Sequence, residues 1–210
     1  PIFNHKYIIS TLKNVAICSI MVFYIILNNL MIPIKNKKKT LDVTVEEMRN
    51  FAFNYIDKFA PSKQQLKTYL LKKYLNSRSS SVNKSNISDL IEIVIEDLEK
   101  SKFINDKFYS DSKAKNLIQK GASINKIRNY LLMKGVGEKY IKNTIEKIQA
   151  NNEDQDFFSA IKVCKKKRIG PSRDNDNRVL FYKKDIGVLA RSGFNFEVSR
   201  RVMDLEKDEY

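Results

Sequence analysis

The chain holds one histidine and two cysteines in 210 residues, which leaves little for metal or covalent chemistry. His5 stands alone, and Cys18 and Cys164 are too few for a zinc site or a disulfide framework. Cys164 falls at helical spacing with Phe157 and Ile161, so it reads as a buried core thiol. Glycine is also scarce, with six residues. Gly135-Val136-Gly137 lacks the third glycine of a dinucleotide loop and follows a helical stretch rather than a strand, and no Lys-Ser or Lys-Thr pair closes a phosphate-binding loop. The stretch Arg173-Asp174-Asn175-Asp176-Asn177 lacks the glycine and terminal glutamate of a calcium hand and reads as a solvated linker, part of a loop from Pro171 to Asn177. These absences argue against an enzyme, a resident cofactor or a metal site. Period-two alternation is not found, so strands find no support.

What the chain does have is one phrase used three times: Ala60-Pro61-Ser62, Gly121-Ala122-Ser123 and Gly170-Pro171-Ser172. Each follows a helix-like stretch and places a serine where the next helix begins. After Ser62 come Leu66, Tyr69-Leu70-Leu71 and Lys73; after Ser123, at the same spacing, come Ile127, Tyr130-Leu131-Leu132 and Lys134. The third unit offers Val188 to Gly193 against Tyr130 to Gly135, after a longer lead-in. The reading is an all-α protein, an elongated array of three tandem three-helix repeats. Its boundaries are 44–102, 103–152 and 153–210, behind an amino-terminal apolar segment and basic linker over 1–43.

Within the first unit, Thr44 and Glu47 form an expected capping box. Met48, Phe51, Ala52, Tyr55, Ile56 and Phe59 then share one helical stripe. The second helix follows Ser62 and turns Leu66, Tyr69, Leu70 and Tyr74 inward. The third is expected after Ser88, with Ile87, Ile91, Val94, Ile95 and Leu98 as its seam. The third helix of unit two should start after Gly137 and bury Ile141, Ile145 and Ile148, and that of unit three after Asn195, burying Val198, Val202 and Leu205. Gly135 and Gly193 suit left-handed helix ends, where unit one has Tyr74. The polar insertion from Asn76 to Lys84 is expected as a surface loop.

Lysine and arginine total 39 against 24 acidic residues, a formal charge of +15, which suits a polyanion or an acidic protein surface and equally a solvated basic surface. The densest cations are Lys165-Lys166-Lys167-Arg168 at the end of a helix, and Arg191, Arg200 and Arg201 on the last two helices. With Lys126, Arg128 and Lys134 they form the candidate binding set, arginine being suited to bidentate contacts with carboxylate or phosphate.

The order of segments resembles the RecX family of RecA regulators. The resemblance rests on Ile95-Glu96-Asp97-Leu98-Glu99 leading through Phe103-Ile104-Asn105-Asp106 into Lys107-Phe108-Tyr109. It rests also on Tyr130-Leu131-Leu132-Met133-Lys134-Gly135-Val136 and on Arg191-Ser192-Gly193-Phe194-Asn195-Phe196-Glu197-Val198. It runs from about Thr44 to Leu205, departing in the serine-rich insertion and the lysine-rich stretch from Cys164 to Gly170. It implies a cytoplasmic regulator that lies in the groove of the RecA–DNA filament and limits recombinase activity in recombination, repair and the SOS response; a monomer is expected. Single- or double-stranded DNA stands as a further partner. A basic module acting directly on nucleic acid, and a membrane-tethered helical scaffold, are the competing readings.

The amino-terminal stretch lies outside that resemblance. Val15 to Leu27 is almost wholly apolar, and the neutral run continues to Ile34 between Lys13 and the lysines from Lys35 onward. The preferred reading is an upstream extension of the reading frame with its start at Met31, Met21 being the second choice. A membrane anchor or an extra packed helix are the alternatives, and a membrane partner follows only if the segment is genuine.

Overall fold

The computed structural model describes residues 41–76, 84–206 and 209. The apolar segment with Val15 to Leu27, His5, Cys18, the start at Met31 and Ser77 to Asn83 of the polar insertion lie outside the described residues. Those described are helical, without strands: α1 (Val45–Phe59), α2 (Lys63–Leu75), α3 (Lys84–Lys100), α4 (Asp106–Gln119), α5 (Ile124–Met133), α6 (Glu138–Asn151), α7 (Gln155–Lys167), α8 (Asn175–Arg191) and α9 (Phe196–Met203). A single 3₁₀ turn, Gly170–Ser172, stands between α7 and α8.

Local chemistry sets the helix ends. The Ser62 hydroxyl accepts from the Gln65 amide while the Gln65 side chain accepts from the Ser62 amide, a reciprocal capping box. Ser123, Asn105 and Asn195 cap α5, α4 and α9 by accepting from the amides of Lys126, Phe108 and Val198. At α1 only half of the expected box forms: Thr44 accepts from the Glu47 amide at 3.2 Å, whereas Glu47 Oε2 is buried without a partner. The complete box belongs to Ser62. Gly135 and Gly193 end α5 and α8 with φ of 71° and 92°. In the first triplet Tyr74 is instead a core residue inside α2, which ends at Leu75 with Asn76 as its cap.

Burial divides among three clusters, each drawn from three consecutive helices. Met48, Leu66, Leu70, Ile91, Val94, Ile95 and Leu98 form the centre of the first. Ile127, Leu131, Ile141 and Ile145 form that of the second, and Ala160, Cys164, Leu189, Val202 and Met203 that of the third. Each fully buried Leu or Ile contributes about 1.5–3 kcal/mol of transfer free energy. Helices of a triplet pack chiefly on one another: α1 and α2 on α3, α4 and α5 on α6, α7 and α8 on α9.

Three expectations are corrected. Phe59 does not join the α1 stripe; it is 52% exposed, because the chain leaves the helix at Ala60 before a neighbour can cover it. Helix α3 begins at Lys84, a turn before Ser88, so the seam from Ile87 to Leu98 starts inside the helix. Pro171 to Asn177 is not a solvated linker: Pro171 is buried in the 3₁₀ turn and α8 already starts at Asn175.

Candidate partner interface

The first two serine phrases do more than start a helix. With its oxygen accepting from the Gln65 amide, the Ser62 hydroxyl donates to the Lys134 carbonyl at 2.6 Å, at the far end of α5. Ser123 repeats the arrangement one triplet on: it accepts from the Lys126 amide and donates to the Ser192 carbonyl at the end of α8, at 2.9 Å. A carboxylate completes each joint. Asp106 of α4 accepts from the Lys63 amide at 2.9 Å, and Asp156 of α7 from the Ile124 amide at 2.8 Å. Burial pushes both carboxyls above the usual carboxylate range, against the lowering effect of the amide each accepts from. The glycines that end α5 and α8 make the approach possible. A Cβ on Gly135 would come within 2.4 Å of Gln64, and one on Gly193 within 2.5 Å of the Ser123 hydroxyl.

The candidate cations divide by what they touch. Lys165, Lys166, Lys167 and Arg168 are exposed at the end of α7, where Arg168 adopts the left-handed conformation at φ 54° and positive charge complements the helix dipole. Arg191 is exposed at the end of α8. Its neighbours Ser192 and Gly193 accept from Ser123 and Asn125, so the second joint brings the Arg191 and Lys126 segments together. Arg200 faces Asp204 at 3.6 Å. Arg201 makes a bidentate pair with Asp154, at 3.0 and 3.3 Å, and lies over the Phe157 ring, holding α9 to the start of α7. Arg128 pairs with Glu138 at 3.1 Å, and Lys134 lies over Tyr130 while its carbonyl serves the first joint.

The third phrase has no following joint. Gly170 donates its amide to Asp185 at 2.9 Å, and Arg173 grips the same carboxylate through Nε and a terminal nitrogen at 2.6 and 2.9 Å. Asp185 is 1% exposed. Burial alone would raise its pKa, but Arg173 and the Gly170 amide outweigh that and hold the carboxyl below the usual range. Cys164, in the same core, has its thiol pushed up to about 12 by burial, as a core thiol should. Among the described residues, no group of three His, Cys, Asp or Glu could hold a metal ion.

No protein-family model matches the chain. The regulatory protein RecX of Myxococcus xanthus (strain DK1622) is 27% identical over 176 residues, covering 81% of this chain and 91% of that protein. The chain is thus similar to a RecX regulatory protein over most of both lengths. A crystal structure of a regulatory protein RecX superposes with a TM-score of 0.54 at 17% identity, covering 77% of this chain and 74% of that one, a likeness of fold.

The RecX resemblance was carried by three short segments, and each contributes to a joint, the one from Tyr130 to Val136 through the Lys134 carbonyl and Gly135. Phe103-Ile104-Asn105-Asp106 contains the carboxylate of the first joint, and Arg191-Ser192-Gly193 contains the carbonyl and glycine of the second. Sequence reasoning did not assign Asp106 or Asp156 a role. The signal was present, since each is an acidic residue at the start of the helix that precedes the next copy of the Tyr-Leu-Leu or Val-Leu-Ala segment.

Proposed function

We propose that the protein regulates the RecA recombinase by lying along the RecA–DNA filament and inhibiting it. The similarity to a regulatory protein RecX across most of both chains carries this reading. The finer architecture belongs to the same proposal: three tandem three-helix repeats over 44–102, 103–152 and 153–210, placed end to end by the serine and aspartate joints. A cytoplasmic monomer built this way touches successive protomers of a filament through several weak patches and gains avidity from their linkage. The interface uses Lys165, Lys166, Lys167 and Arg168, with Arg191, Arg200, Lys126, Arg128 and Lys134 beside them. Rim cations of this kind act mainly on association rate and salt dependence. Arg201 contributes through its grip on Asp154, which orients α9, rather than as a free contact.

Co-sedimentation with preformed RecA filaments, together with inhibition of the filament's ATPase, tests the reading. The expected result is saturable binding to the filament above that to bare DNA, weakened by reversing the charge of Lys165, Lys166 and Lys167. Equal binding to bare DNA, with a steep salt dependence and indifference to RecA, would replace it with the nucleic-acid reading.

A further inference from the structure

The two joints make the same hydrogen bonds but do not close equally. In the second, α7 lies directly against Gly121: a Cβ there would meet the Ser159 carbonyl and Lys162 Cβ, each at 3.2 Å. In the first, the corresponding residue of the phrase is Ala60, which carries that Cβ. Counting from Asp106 and Asp156, which make the same bond in the two joints, Tyr109 and Ser112 of α4 stand where α7 has Ser159 and Lys162. At this place the first joint holds a cavity of about 390 Å³. It is lined by Ala60 and Pro61, by Lys102 and Phe103 of the α3–α4 connection, and by Phe108, Ser112 and Lys113 of α4.

Several features set this cavity apart from incidental surface relief. Phe103 and Phe108 are 56% and 71% exposed at its edge, although a large aromatic ring is strongly driven out of water. Three non-glycine residues among those described have positive φ, and two of them, Ala60 at 40° and Lys102 at 61°, line it. Both are left-handed helix ends, Ala60 closing α1 and Lys102 following α3, and they fix where the two walls of the cavity turn. The lining contains two lysines and no carboxylate.

We propose that the cleft between α1 and α4, around Ala60, Phe103 and Phe108, is a docking site for an acidic peptide segment carrying one aromatic or long aliphatic anchor. The inference rests on the regulatory reading for the partner's being a protein. The anchor enters beside Phe108 and Ser112, and its acidic flanks meet Lys102 and Lys113. A single-stranded nucleic acid is less well served. Base stacking needs free aromatic faces along a basic track, whereas Phe103 is held edge-to-face by Phe53 at 5.0 Å and Tyr109 is buried with Lys113 over its ring.

The test uses the full chain and a short fluorescein-labelled peptide of glutamate and aspartate around one phenylalanine, read by anisotropy. Controls are the same peptide with alanine for phenylalanine, its lysine counterpart, and labelled oligo-dT. The expected result is binding of the acidic phenylalanine peptide, weakened about tenfold or more by Phe108→Ala or by Ser112→Trp, which fills the cleft. Lys102→Glu with Lys113→Glu should abolish it most clearly at low salt. Unchanged affinity in these variants, with their helical signal intact, would overturn the proposal, as would oligo-dT binding that the same variants remove. Filament co-sedimentation of the unmodified chain is run in parallel: its failure while the peptide still binds counts against the RecA reading and not against this site.

Discussion

Ser62 and Ser123 are each fully buried, and each hydroxyl both caps its own helix and reaches the end of another. Their alanine variants lose a cap and leave a carbonyl without its donor, so each should cost about 1–3 kcal/mol in urea denaturation. A cost near zero would show that the joints do not contribute to stability. The cap was legible because it is a pattern of a few neighbouring residues. The second bond was not, because its partner lies 72 or 69 residues away and nothing local marks a backbone carbonyl. Lys102 invites the opposite prediction. A lysine at φ 61° bears a left-handed penalty of about 1–2 kcal/mol that glycine escapes, partly offset by glycine's greater freedom when unfolded. Lys102→Gly should therefore stabilise by about 0.5–1 kcal/mol, seen as a raised Tm, and a lowered Tm would mean the conformation carries no strain.

At the scale of elements, α8 was the hardest to read. Aspartate and asparagine around Pro171 suggest a loop, yet Arg173 is drawn onto Asp185 and the helix starts three residues after Ser172. Aligning Val188-Leu189 with Tyr130-Leu131 puts Asp185 at the position of Ile127, a core residue, and an acidic residue there gives no hint of burial until Arg173 is seen beside it. Removing the partner exposes the energetics. Arg173→Ala leaves a buried carboxylate without its counter-ion, held by the Gly170 amide alone, and should cost about 3 kcal/mol near neutral pH. The sign of its pH dependence follows from the pKa directions. In the parent the folded-state value lies below the usual 3.8, so the pair's stability is present above that value and is lost as pH falls through the lower one. Without Arg173 burial raises the Asp185 value, protonation relieves the variant first, and the stability gap should narrow as pH is lowered toward about 4. A constant gap would mean that Asp185 is not the group responsible. Arg173→Met with Asp185→Leu, which places an apolar residue at the Ile127 position but leaves the buried Gly170 amide without its acceptor, should recover only part of that loss.

For the molecule as a whole, the periodic apolar positions were the most legible layer, because burial at helical spacing is written into sequence by the same residues that do the packing. Leu66, Leu70, Leu131, Ile141 and Ile145 were read as core and are buried. Leu131→Ala or Ile145→Ala should cost about 2–5 kcal/mol, whereas Lys126→Ala, at an exposed site, should cost under about 0.5 kcal/mol. Charge was legible only as a total. Which cations are already engaged, as Arg201 is by Asp154 and Arg128 by Glu138, depends on helix packing that no short segment encodes. The regulatory reading joins that basic surface to a filament, and the most direct measurement is co-sedimentation of the full chain with RecA filaments preformed on DNA, against the same DNA without RecA. The account predicts saturable binding that requires RecA and falls on charge reversal of Lys165, Lys166 and Lys167. Binding that ignores RecA and follows the DNA alone would contradict it.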